Sequence, residues 1–223
     1  MDLFHDVGQF FVRGGIFMVP LWIASLISLT VLLERAIAIR RPLVINPALA
    51  DAIERLRYGQ VPAEVEAAAD DRTILGRLVR TALRNATWSK AENSETLQTK
   101  ARSEISRLER GLVILEIAVG VGPLLGLLGT VSGLIKIFGN IGDQQIATQG
   151  VAIARGISEA LNTTVFGLVV AIPALIAYSI FSRRVESFSV ELESYCNELL
   201  SKLYTEQESA AAVPPPVPTT YQA

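Results

Sequence analysis

The stretch GVGPLLGLLGTVSGLIKIF, residues 120–138, decides how the rest of the chain is read. It is free of charge up to Lys136 and has about the ~20 residues that a helix needs to cross a bilayer. Gly122, Gly126, Gly129 and Gly133 recur at spacings of four, three and four, so they share one face of a helix. Glycine weakens a helix relative to alanine. A membrane helix that accepts this repeatedly on one face gains close approach to another helix there. A hydroxyl, Thr130, lies inside the same apolar run. Function is expected where this face meets its neighbours.

The rest of the chain fits a membrane setting. Half of its 223 residues are hydrophobic, and its mean hydropathy is +0.39. That is more apolar than a typical soluble domain. The net charge of −2 gives no sign of a nucleic-acid partner. With one cysteine, Cys196, no internal disulfide can form, and no Cys/His pattern suggests a metal. No cofactor is expected. His5, the lone histidine, reads as an interfacial polar residue.

Uncharged runs cover residues 14–33, 117–135 and 160–182. The first follows an acidic leader, MDLFHDV, and no small-residue cleavage pattern follows it, so it is expected to remain as a true span. Arginines 35, 40, 41, 102, 107, 110, 183 and 184 fall on one side of the three spans. Only Arg13, Lys136 and Arg155 fall on the other. By the positive-inside rule the amino terminus is expected outside and the carboxyl terminus in the cytoplasm.

The expected organisation is all-α. Residues 1–13 form an outer amphipathic segment, with Phe4, Phe10 and Phe11 at the interface. Residues 14–34 are the first span, and 35–110 a cytoplasmic helical segment ending in a rod that runs unbroken from about 90 to 138. Within it, residues 48–57 place Leu49, Ile53 and Leu56 on one face, and residues 73–85 carry an apolar stripe of Ile74, Leu75, Leu78, Val79 and Leu83. Ser89 followed by Glu92 is a capping-box pattern. The second span is 111–138, the outer loop 139–158 and the third span 159–182. Residues 183–205 form a cytoplasmic amphipathic helix, and 206–223 an Ala/Pro-rich disordered tail.

Few polar groups lie at membrane depth. Thr130 and Thr164 are roughly level in the outer half, each on the small-residue face of its span. Two such hydroxyls could line a polar path, or each could bond back to its own helix. The third span has its own small-residue face, which includes Ala160, Gly167 and Ala171. Glu159 stands at its start, with Thr163 four residues on and within bonding reach; an acid there is also favoured by the helix dipole. No span has an ionisable residue near its centre. Hydroxyls can pass a proton, but they cannot hold one as a carboxylate can. If protons cross here, the titrating group comes from another polypeptide.

Three stretches together resemble one family: GLLGTVSGLIKIF (126–138), GISEALNTTVFGLVVAIPALIAYSIFSRRVE (156–186) and LLERAIAIRRP (32–42). They resemble the bacterial proton-channel subunits that include ExbB, TolQ and MotA. Three spans and this length favour the ExbB/TolQ branch. The resemblance implies a homopentamer with a central, largely apolar pore in the inner membrane. It implies a single-span partner of the ExbD or TolR type that brings a membrane aspartate, and a TonB- or TolA-like protein that receives the work. It assigns Thr130, Thr164 and Glu159 to the proton pathway, with Thr163 as an alternative pore hydroxyl. The chain would then energise TonB-dependent uptake across the outer membrane, or serve envelope constriction as TolQ-like proteins do. A non-conducting membrane scaffold is a third reading. An enzyme is not expected, since no catalytic constellation can be assembled.

Overall fold

Apolar length fixes the first element. Met18–Ala38 (α1) is uncharged until Glu34 and Arg35, and most of its large side chains point away from the rest of the chain. The computed structural model describes residues 16–58, 62–139 and 146–211; side chains at 146–149, 151, 152, 155, 159 and 205–211 are not described. The expected outer segment 1–13 therefore lies outside the described residues.

After α1 come Arg41–Val44 (α2), Pro47–Arg55 (α3), Ala63–Ala68 (α4), Ile74–Arg84 (α5), Lys90–Glu109 (α6), Leu112–Gly139 (α7) and Ile146–Ala211 (α8). No strand occurs among the described residues. Three stretches are long and apolar enough to cross a membrane: Met18–Ala38, Lys90–Gly139 and Gly156–Tyr204. At most a third of the apolar run in each is buried within the chain. Their exposed Leu, Ile and Val side chains need lipid or another chain around them.

The chain divides into two compact units. The first comprises α1, α7 and α8 as far as Arg183. Here α1 packs on α7. The expected rod is broken: α6 ends at Glu109, and Arg110–Gly111 form a turn before α7. The Arg35 guanidinium occupies the space a side chain at position 111 would fill. Glycine is the residue that lets Arg35 lie there, and this contact is invisible to helix periodicity.

The second unit comprises α2–α6 up to Leu108 and α8 from Arg184. Its helix starts are locally encoded. Asn46 accepts the amide of Ala48 at 3.0 Å, with Pro47 opening α3. Thr73 accepts the amide of Gly76 at 3.2 Å to start α5. The Ser89 hydroxyl accepts the Glu92 amide at 3.3 Å while Glu92 reaches back to the Ser89 amide at 3.2 Å, which completes the capping box before α6. Leu49, Ile53 and Leu56 are buried, as are Ile74, Leu75, Leu78 and Val79.

Helix ends in this unit are closed by distant side chains. The buried Asn93 amide donates to the Ala82 carbonyl near the end of α5 and to the Tyr204 hydroxyl, both at 2.9 Å. Tyr204 in turn donates to the Asn85 carbonyl at 3.2 Å. The Lys202 ammonium donates to the carbonyls of Ile53 and Glu54 at 2.7 and 2.9 Å, and pairs with Glu198 at 2.6 Å. Side chains of α6 and α8 thus add donors to carbonyls at the ends of α3 and α5; those of Ile53 and Asn85 also accept the local amides of Leu56 and Trp88. The last stretch of α8 extends to Ala211, so helix continues into the region expected as tail; residues 212–223 are outside the described part.

Two measurements check this unit. A β-carbon at Gly76 would fall on the Asp70 carbonyl oxygen, which is backbone and cannot yield by rotating. Gly76→Ala is expected to lower stability by ~1–3 kcal/mol, read as a lower thermal midpoint by circular dichroism. Arg77 donates to Glu104 at 3.1 and 2.7 Å, and this hydrogen bond holds the Glu104 carboxyl below its ordinary range. A depressed carboxyl stabilises the fold above the unfolded carboxylate range, and this contribution fades as pH falls through the lowered value. Glu104→Gln is expected to flatten the acid limb of melting midpoint against pH.

Candidate functional site

Antiparallel packing of α7 on the membrane part of α8 builds the site. The register follows from which atoms a β-carbon at each glycine would meet. At Gly122 it would lie 3.1 Å from the Gly167 carbonyl oxygen and 3.4 Å from the Ala171 β-carbon. At Gly126 it would lie 2.9 Å from both the Thr163 carbonyl oxygen and the Thr164 α-carbon. At Gly129 it would meet the Thr163 side chain at 2.8 Å, and at Gly133 the Ala160 β-carbon at 2.8 Å. From α8, Gly167 would meet the Gly122 carbonyl oxygen at 2.5 Å. Every glycine on the face singled out in the sequence is thus used within one chain: α8 lies backbone to backbone at Gly122 and Gly126, and seats the Thr163 and Ala160 side chains at Gly129 and Gly133.

Two hydroxyls sit at the half-buried edge of this seam. Thr130 Oγ1 and Thr164 Oγ1 are in direct hydrogen-bond contact, and either can donate. Thr130 Oγ1 also reaches its own helix at the Gly126 carbonyl, 3.2 Å, and the opposite helix at the Ala160 carbonyl, 3.0 Å. Thr164 Oγ1 reaches the Gly126 carbonyl at 3.2 Å. Each carbonyl lies four residues before one of the threonines, so each hydroxyl has access to the carbonyl paired with the other. Thr130 does not merely bond back to its own helix.

The arrangement has two polarities, with unlike acceptors, since the Ala160 carbonyl also accepts from Thr163. In one, Thr164 donates to Thr130, which donates to the Ala160 carbonyl. In the other, Thr130 donates to Thr164, which donates to the Gly126 carbonyl. Rotating two hydroxyls converts one into the other without moving either helix. Such a pair can orient a hydrogen-bonded chain in either direction, but it cannot store a charge.

The remaining candidates fall in different places. Thr163 is buried, with its methyl and hydroxyl against Gly129, and it donates to the Ala160 carbonyl at 2.6 Å. The half-buried Thr164 is the one that meets Thr130. The backbone of Glu159 is helical within α8, and its side chain is outside the described part. Sequence reasoning found the hydroxyls and missed the carbonyls of Gly126 and Ala160. The signal was the four-residue offset before each threonine. Cys196 lies in the second unit, and burial pushes its thiol up to about 12, so it stays protonated at neutral pH. Among the described residues no group of His, Cys, Asp and Glu could hold a metal ion.

With this geometry in place, comparison with known proteins defines the class. Residues 70–194, more than half of the chain, match the model of the MotA/TolQ/ExbB proton channel family. The chain belongs to that family. It is 34% identical over 203 residues to the putative biopolymer transport protein ExbB-like 1 of Synechocystis sp., covering 85% of this chain and 78% of that protein. It is 42% identical over 81 residues to the biopolymer transport protein ExbB of Salmonella typhimurium, covering 36% and 32% of the two chains. It is 38% identical over 101 residues to the Tol-Pal system protein TolQ of Pseudomonas aeruginosa, covering 45% and 43%. The chain is therefore a membrane protein of the ExbB/TolQ branch, in a family of channels and not of enzymes.

The seam predicts opposite outcomes for glycines on two faces of α7. Gly126→Ala puts a methyl on the backbone of Thr163 and Thr164 and is expected to lower the melting midpoint of the detergent-solubilised subunit. No atom lies within 4 Å of a β-carbon at Gly120. Gly120→Ala is expected to raise that midpoint through helix propensity, by up to about 1 kcal/mol. Equal effects at the two positions would refute this register.

Proposed function

We propose that this chain is an ExbB-like subunit of an inner-membrane motor that uses the proton-motive force to energise TonB-dependent transport across the outer membrane. In this reading five copies surround a central pore, with amino termini in the periplasm and carboxyl termini in the cytoplasm. A single-span protein of the ExbD or TolR type enters the pore and brings a carboxylate that binds and releases protons. A TonB- or TolA-like protein takes up the resulting work. Thr130 and Thr164 face that carboxylate, and Glu159 stands on the outer approach.

The observation that carries the reading is the Thr130–Thr164 pair. It is a reversible hydrogen-bond relay at membrane depth, half-buried and open to a neighbour, and it has no charge-storing group of its own. That is the half of a proton-transfer site that needs a carboxylate from elsewhere. The match to TolQ supports a second reading, in which the same motor serves envelope constriction.

Proton flux is the direct test. The complex purified from its native membranes is placed in liposomes with a pH dye, and a potential is imposed. Thr130→Ala and Thr164→Ala are expected to lower flux by about a hundredfold while assembly persists, and Thr→Ser at each position to retain most of it. Full flux in both alanine variants would remove the pore assignment, and a silent wild type would favour a scaffold. In cells, loss of the gene is expected to stop proton-driven outer-membrane uptake and leave constriction at division intact. The reverse pattern selects the TolQ-like role.

A further inference from the structure

The open face of α7 carries a second polar line, distinct from the seam. Glu116, Pro123 and Thr130 are spaced by seven residues, so they lie along one side of the helix within ~40° of one another. Glu116 is exposed, and the apolar Val113 and Ile117 beside it are exposed too. Its depth can be read from the chain itself. Gly111 lies beneath the Arg35 guanidinium, at the arginine-rich end of the spans. Glu116 is five residues further along α7, ~7.5 Å toward the membrane centre. Thr130 lies ~21 Å beyond it. A carboxylate at this depth on an exposed apolar face costs free energy against hydrocarbon, and far less beside water.

The middle of the line carries one polar backbone group beside the exposed apolar Leu127. Pro123 has no amide proton, so the carbonyl of Val119 cannot receive the usual bond from residue 123. Val119 and Pro123 are both half-buried, so their side of the helix is not sealed by the rest of the chain. From the arginine-rich end the line therefore reads as a carboxylate, a backbone carbonyl deprived of its helical donor, and the Thr130 hydroxyl with its reversible partner. Each of these groups can bond water.

We propose that Glu116 is a proton-binding site at the cytoplasmic end of a hydrated path along this face of α7. Its carboxylate takes a proton from the water file that begins at Thr130, becomes neutral, and releases the proton to bulk water beyond Arg35. Its ligand is the hydronium ion. The inference rests on the proton-channel reading above and adds a carboxylate on the exit side, contributed by this chain.

The test uses the purified complex in the same liposome assay, with Glu116→Asp, Glu116→Gln and Glu116→Leu beside Thr130→Ala. Flux is expected to fall by about tenfold or more in the Gln and Leu variants and to be largely kept in Asp. Leucine makes the face wholly apolar, so it reports on conduction even if the Gln variant fails to accumulate. Wild-type flux in either the Gln or the Leu variant overturns the inference. If Thr130→Ala alone loses flux, the channel reading stands and Glu116 is an interfacial carboxylate. If the wild type does not conduct, both readings fall.

Discussion

The distance between the backbones of α7 and α8 is the constraint on which the membrane unit depends. Four glycines on α7 and one on α8 remove the β-carbons that would hold these helices apart. Only then can the Thr130 hydroxyl reach a carbonyl on α8 and the Thr164 hydroxyl reach one on α7. Polar chemistry and packing are thus one feature. Alanine in place of Gly126 would push against the α-carbon of Thr164 itself, so the hydroxyl contact is the first thing lost when the seam widens. Because lipid is as apolar as leucine, the association gains little from the hydrophobic effect and rests on close packing and the crossed hydrogen bonds.

A pair of hydroxyls without a charge-storing group sets limits on what the chain can do alone. A threonine hydroxyl neither ionises nor accepts a lasting proton at neutral pH, whereas a carboxylate does both. Moving one charge through 100 mV releases about 2.3 kcal/mol, enough to bias a conformational step but small beside the cost of a bare charge in hydrocarbon. A motor driven this way needs the charge neutralised at one well-placed group, with the surrounding wall supplying hydrogen bonds that can be reversed. The Thr130–Thr164 pair supports the proposed role on that ground, because its two polarities differ only by hydroxyl rotation.

Legibility in the sequence followed how local the physics is. Spans, the glycine face, the capping box at Ser89 and the stripe on α5 are written in spacings of three to four residues, and all could be read there; the caps at Asn46 and Thr73 are equally local but were found only in the structure. The contact of Arg35 with Gly111 was not legible, because the two residues are distant in sequence and follow no period. Nor were the closures of α3 and α5 by Lys202, Asn93 and Tyr204, which join residues more than a hundred positions apart in the Lys202 and Tyr204 cases. The candidate site was half legible. Hydroxyls are visible as residue types, whereas the carbonyls of Gly126 and Ala160 belong to the backbone and become specific only when two helices meet in one register.

Proline placement shows how α7 keeps its two faces separate. A proline ring on the seam would stand where glycines bring backbone against backbone, and nothing there could yield. Pro123 instead follows Gly122 by one residue, which turns it ~100° away from the seam and onto the side shared with Glu116. The helix continues through it from Leu112 to Gly139, so its lost hydrogen bond is tolerated in place and does not end the span. The Val119 carbonyl, deprived of its donor, costs several kcal/mol in hydrocarbon unless water or another group reaches it. On the seam no water could enter. On the open face, about one turn from the Glu116 carboxylate, water can, and the residue that weakens the helix also marks the side from which it is hydrated.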